Sequence, residues 1–277
     1  MVGIIVPVYN RIESTLRFLQ STRKLLYKDF KVIIIDDGST DGTSTIIAKD
    51  FPEVILLQGN GNLWWSGATN VGVRYAIKHK FDYVLTINQD SVFDPNLINE
   101  LIRVSKLNDD AIVGARIMQS NKTHVWALGA LIKFRYTGYL GMQYYNLPLA
   151  KVAELGEFLS VQALPGDGVL IPVQIFAKIG LYNAKWCPQY HGDTEFTYRA
   201  NKQGFKVLVS TKTYVVNDEF DSDPKFSIWD ELFSKKSWHY WRPNVYFYAK
   251  YAPLTEKIFV IKQFFWLWDR LFPSKKH

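Results

Sequence analysis

The chain alternates short apolar runs with segments of helical spacing. Gly3–Val8, Lys31–Ile35, Val54–Leu57 and Tyr83–Ile87 are runs of four to six residues and predict buried strands. Between them, Ile12–Leu26, Thr43–Ala48 and Ser66–Lys80 place apolar side chains at helical intervals. Strands that alternate with helices predict an α/β fold with a mostly parallel, Rossmann-like central sheet and helices on both faces. Asp94-Pro95 supplies an N-cap and an N1 proline for a helix over Asn96–Lys106. Beyond Ala111 the pattern is mixed. Leu164–Gly168 reads as a turn before the strand Val169–Ile171, Asp193–Gly204 as a helix closed by glycine, and Val207–Ser210 and Thr213–Val216 as two short strands.

In such sheets ligands gather beyond the carboxyl ends of the strands. All four strand ends there are polar. Tyr9-Asn10-Arg11 follows the first, Asp36-Asp37-Gly38-Ser39-Thr40-Asp41-Gly42 the second, Gly59-Asn60-Gly61-Asn62 the third and Asn88-Gln89-Asp90 the fourth. Two adjacent carboxylates, Asp36 and Asp37, repel unless a donor arrives. The N3–H of a uracil or thymine ring is such a donor, and an N-cap role for Asp37 or Asp41 is the simpler alternative. Asp90 supplies one hard oxygen for Mg2+ or Mn2+, and Asn88 only a neutral one; a turn capping the next helix explains the same residues. The small residues of Gly59–Asn70 let backbone approach a phosphate at a helix start, whereas core packing is the commoner fate of Trp64 and Trp65. Asp193 opens a helix. A carboxylate there can take a proton from a sugar hydroxyl, or merely cap the helix.

Composition narrows the class. The 277 residues include 48% hydrophobic and 21% charged side chains, so the chain folds into a globule with a sizeable core. The one cysteine, Cys187, excludes an intrachain disulfide and a cysteine-rich zinc site. The net charge is +7, of which residues 221–277 carry +4 (ten basic, six acidic). A basic tail predicts an anionic partner. That tail is also aromatic, with 16 aromatics between Phe226 and Phe272. On a helical wheel of Thr255–Phe272, Thr255, Glu256, Lys262, Gln263, Asp269 and Arg270 share one arc with Phe259 and Trp266. This mixture suits a helix lying in a bilayer interface. A helical extension packed on the sheet or forming a homodimer is the alternative. No nucleic-acid motif is present, so no nucleic-acid partner is expected. No spanning segment or leader is visible, which predicts a cytoplasmic protein, peripheral on the inner face of the cell membrane.

Taken in order, these segments resemble the inverting GT-A glycosyltransferases of family 2. The matches are Val6–Asn10, Asp36–Thr43, Gly61-Asn62 through Gly67, Asn70 and Gly72, and Asn88-Gln89-Asp90 in place of Asp-x-Asp. Gly166–Ile171, Ile179–Leu181, and Asp193 and Glu195 with Arg199 and Gly204 complete the set, which covers residues 1–220. The resemblance implies a GT-A catalytic domain over 1–220, with a nucleotide-binding half (1–110) and an acceptor-binding half (111–220), followed by a helical extension over 221–277. It implies that Pro7, Tyr9, Asn10, Asp37, Gly61, Asn62, Trp65, Gly67, Asn70, Asn88, Gln89 and Asp167 hold a nucleotide-diphosphate sugar. Asp90 would meet a divalent metal, Mg2+ or Mn2+, and Asp193 would be the catalytic base in an inverting transfer. Two departures weaken the metal site: Asn88 stands for the first Asp, and Asn217, beside Asp218, for a late His. Trp238–Asn244 resembles a segment of bacterial rhamnosyltransferase-like members, which implies a glycan or polyprenyl-diphosphate-linked acceptor and a role in surface polysaccharide assembly. A sugar-nucleotide pyrophosphorylase would need a glycine-rich loop after the first strand, where Tyr9–Glu13 has no glycine. A decayed, non-catalytic scaffold is favoured by Asn88 and opposed by Asp90 and Asp193.

Overall fold

A computed structural model describes residues 1–134, 140–217 and 227–264. The amino-terminal half follows the apolar pattern: β1 (Val2–Val8), α1 (Ile12–Thr22), β2 (Phe30–Asp36), α2 (Thr43–Asp50), β3 (Ile55–Gln58), α3 (Trp64–Lys78) and β4 (Tyr83–Thr86). These four strands pair in parallel in the order β4-β1-β2-β3. Chain order reverses between β1 and β4, so the crevice for a ligand opens above those two strands. Their side chains are apolar on both faces because α1 and α2 cover one face and α3 the other. Ile4 and Ile34 join the first core, Ile5 and Ile35 the second, and all four are buried. α3 approaches β1 closely. A Cβ on Gly72 would stand 2.7 Å from a methyl of Ile5.

Beyond β4 the sheet turns mixed. The next elements are β5 (Ser91–Phe93), α4 (Leu97–Leu107), β6 (Ile112–Met118), β7 (Val125–Ala127), β8 (Ala130–Ile132), β9 (Leu140–Met142) and β10 (Phe158–Ser160). Then come β11 (Val169–Pro172), α5 (Val173–Ile179), α6 (Gly192–Lys202) and β12 (Val207–Asn217). β11 runs antiparallel between β4 and β6, and its antiparallel course aims the Gly166–Gly168 turn at the end of β4. The two short strands expected after residue 206 are one strand, β12, whose register on β6 slips between Val209 and Tyr214. Four residues, Ser210–Thr213, stand there against the one residue Ala115 of β6 and form that irregularity, as a β-bulge does.

The carboxyl-terminal segment does not stand apart. α7 (Ile228–Phe233) is exposed, but α8 (Trp241–Tyr251) buries Phe247 and Tyr248 in a core shared with Ala130, Phe134, Ala163 and Tyr198. From Leu254 to Phe264 the chain is a 3-10 helix. Its advance of about 120° per residue displaces the expected wheel. Phe259, expected among the polar groups, packs toward the core, while Leu254, Ile258 and Ile261 are 85%, 67% and 59% exposed. Trp266, Asp269, Arg270, Asp218 and the side chains of Asn217, Lys262 and Gln263 lie outside the described residues. Among the described residues no helix is long and apolar enough to cross a membrane.

Candidate active site at the carboxyl edge of the sheet

The β2 and β3 ends form one loop system. Asp36 is buried and accepts from the Ser39 N–H (2.9 Å) and the Ser44 hydroxyl. Asp37 does not cap the helix that follows it. Its Oδ1 accepts from the Gly61 N–H (2.8 Å) and its Oδ2 from those of Leu63 (2.9 Å) and Trp64 (3.0 Å). It therefore caps α3 from a neighbouring strand and shapes the loop containing Asn62, a duty the expected pyrimidine contact did not anticipate. Gly59 has no room for a side chain there, since a Cβ would meet the Asp37 carboxylate at 2.5 Å. Asn10, in the left-handed region at φ 49°, accepts the Thr40 N–H at 2.7 Å and donates its own to Ser39 Oγ. It ties the β1 loop to the β2 loop. Pro7 lies half-buried at the end of β1, and Tyr9 is 53% exposed above it.

The β4 end meets the β11 turn. Asp167 is buried, and its carboxylate accepts from the Ser91 hydroxyl (2.7 and 2.8 Å) and the Asn88 N–H (3.1 Å). Burial pushes this carboxyl from 3.8 up to about 7; the Ser91 and Asn88 bonds oppose the shift, and the charges of Asp90 and Asp193 add to it. Asp90 and Asp193 are thus both near enough to Asp167 for their charges to act on it. Trp65 bridges from α3. Its Nε1–H donates to Asn88 Oδ1 at 3.2 Å, and its backbone N–H to Gln189 Oε1 at 3.2 Å. An indole only donates, so the contact fixes which end of the Asn88 amide faces it. Gln89 and Asp90 are half-buried beside it.

Asp193 closes the group. His191, at φ 65°, starts α6, so Asp193 sits inside the first turn and not at the cap. Its Oδ2 accepts the Gly166 N–H at 2.5 Å and its Oδ1 the Thr194 N–H at 2.7 Å. Burial raises its carboxyl above the ordinary value against these two bonds, which strengthens it as a base. Gly166 is wedged: a Cβ there would lie 2.8 Å from both Asp193 Cβ and a ring carbon of Trp65. Asn88, Asp167, Trp65 and Asp193 are thus one contiguous set, and Asp37 joins it through Trp64-Trp65.

Three expected ligand contacts have other employment. Asn70 is buried and spends its amide on the Tyr182 backbone, donating to the carbonyl and accepting the N–H at 2.9 Å each. Gly67 faces Leu63 and Ala184, so it serves helix packing. Gly61 gives its N–H to Asp37. The pattern missed Ser91 and Gln189, because no spacing in the chain links residue 91 to 167 or 65 to 189. Among the described residues, no three His, Cys, Asp or Glu side chains cluster as ligands for a metal. Asp90 offers a carboxylate for a cation, whereas those of Asp167 and Asp193 accept internal hydrogen bonds and Asn88 Oδ1 is engaged by Trp65. One carboxylate suffices only for a cation that brings its remaining oxygens with it, as Mg2+ does with diphosphate.

The open α/β sheet with carboxylates gathered at its switch point matches the GT-A fold of solved glycosyltransferases. Residues 3–158 match the model of glycosyl transferase family 2, more than half of the chain, and the chain belongs to that family. An uncharacterised glycosyltransferase of Rickettsia typhi is 28% identical over 194 residues, 66% of this chain and 54% of that protein. Glycosyltransferase GlyG of Streptococcus pneumoniae is 26% identical over 119 residues, 41% of this chain and 38% of its own. The chain spans about half the length of the Rickettsia relative. The crystal structure of GalNAc-T7 with UDP, GalNAc and Mn2+ superposes at a TM-score of 0.62 and 13% identity, over 78% of this chain and 43% of that one. That of S. aureus TarS gives 0.56 and 15%, over 77% and 36%. These two likenesses establish the fold.

Proposed function

We propose that the chain transfers a sugar from a UDP- or dTDP-linked donor to a hydroxyl of a glycan or lipid-linked glycan, with inversion, in bacterial surface polysaccharide assembly. The observation that carries this is the convergence of Asp193, Asp167, Asp90, Asn88 and Trp65 above the β1–β4 switch point. Asp193 takes the proton of the acceptor hydroxyl. The oxygen attacks the anomeric carbon, and the bond to the diphosphate breaks on the opposite face with its electron pair going to the phosphate. The Gly166 and Thr194 N–H bonds hold Asp193 in the aim this requires. A divalent metal, when bound, neutralises the leaving diphosphate, and Asp90 is the residue that would hold it. The remaining work of this chain is positional: Asp37 and Asn10 shape the nucleotide loops, and Trp65 sets the Asn88 amide.

The exposed Leu254, Ile258 and Ile261 beside Lys257, on a basic carboxyl-terminal segment, support a peripheral seat on anionic lipid. Flotation with phosphatidylglycerol vesicles checks it: serine at these three positions releases the chain, and unchanged flotation rejects the seat.

A thermal-shift screen of UDP-, dTDP- and GDP-sugars, with and without Mn2+, tests the transferase reading. A donor at a hundred times its Kd stabilises by about 2.7 kcal/mol, a shift of about 5–10 °C. One nucleobase is expected to stand out. No shift with any sugar nucleotide refutes the reading.

A further inference from the structure

Glu195 follows Asp193 by two positions on α6, on nearly the opposite side of the helix, and is fully buried. A buried carboxylate is tolerated only when donors surround it. Arg199 donates to it from Nη2–H (3.1 Å to Oε2) and from Nε–H (3.2 and 3.3 Å to the two oxygens), and gives further N–H groups to the carbonyls of Ile179 and Leu181. The remaining donors come from α8, about fifty residues on. The Tyr251 hydroxyl donates to Oε1, and Lys250 Nζ and the Tyr246 hydroxyl approach it at 3.3 and 3.4 Å. Apolar side chains of similar volume would fill this space at least as stably, so the network is better explained by the geometry it fixes.

That geometry is the first turn of α6. Asp193 keeps its aim only while this turn stays under Gly166, where the Oδ2 bond is 2.5 Å and the Trp65 ring leaves no slack. α8 grips the approach to the same turn. Trp186 stacks on the Tyr246 ring at 5.6 Å and meets the Arg242 guanidinium at 5.2 Å.

We propose that Glu195 is a positioning residue through which α8 fixes the first turn of α6 and, with it, Asp193. The segment through Tyr251 is then part of the transferase machinery. This rests on the role given above to Asp193. A merely structural network would lower the folded fraction and leave turnover per folded molecule unchanged.

The test uses the full chain and its Tyr251→Phe, Lys250→Met and Lys250→Arg variants. Nucleotide release from the stabilising sugar nucleotide, with water as acceptor, is measured per folded molecule as kcat and donor KM. Tyr251→Phe and Lys250→Met should each lower kcat about tenfold with donor KM unchanged, and Lys250→Arg should restore the parent value. Parent-like kcat in both, or a loss confined to KM, overturns the positioning role while the transferase reading stands. A parent chain that releases no nucleotide overturns that reading and this role together.

Discussion

Asp167→Asn isolates one of the two buried carboxyls at the site whose titration burial raises. Asp167 titrates near 7 in the folded chain against an ordinary value of 3.8. The folded state therefore binds the extra proton, and the stability this group contributes is fully present below 3.8 and lost as pH rises through about 7. At 1.36 kcal/mol per unit, the full loss above pH 7 is about 4 kcal/mol. An asparagine imitates the protonated acid. Its oxygen accepts the Asn88 N–H and the Ser91 hydroxyl, and it carries no charge toward Asp90 and Asp193. The variant should thus gain on the parent with rising pH, by about 2–3 kcal/mol between pH 5 and pH 8. Urea unfolding of both proteins at the two pH values measures this as a widening difference in ΔG. A difference that stays constant, or narrows toward pH 8, refutes the claim that burial dominates this carboxyl.

Other substitutions probe the remaining geometry. Gly166→Ala forces a methyl between Asp193 and Trp65; it should cost about 1–3 kcal/mol in denaturant melts and cut turnover about a hundredfold by moving the base. Asp37→Asn keeps one accepting oxygen for three N–H groups, so unfolding should become easier by about 2–3 kcal/mol even without nucleotide. Trp65→Phe removes the donor to Asn88 and the far ring carbons that pack against Gly166. It should lower turnover about tenfold and ease unfolding by about 1–3 kcal/mol, as read by parallel kinetics and calorimetry.

The parallel half of the fold was legible because runs such as Gly3–Val8 and Lys31–Ile35 are buried on both faces and need no partner from elsewhere to be recognised. The clustering of polar strand ends was legible for the same reason, since topology alone brings carboxyl ends together. What each carboxylate does was not. Asp37 caps a helix 27 residues away, and Asp167 meets a serine 76 residues away. Neither pairing has a periodic trace. The last segment misled because its described part winds as a 3-10 helix, so Phe259 turns inward where a 3.6-residue wheel turns it out. α8, legible only as an aromatic stretch, joins the core through Phe247 and Tyr248 and reaches the Asp193 helix through Tyr251.

The most direct measurement concerns Asp193 itself. Asp193→Asn retains the side chain's shape and removes its basicity. Sugar transfer or hydrolysis should fall about 10²–10⁴-fold, while the sugar nucleotide still raises the melting temperature as it does in the parent. Turnover within a few-fold of the parent, with nucleotide binding intact, would show that the proton leaves by another route and that the gathered carboxylates are not the catalytic centre.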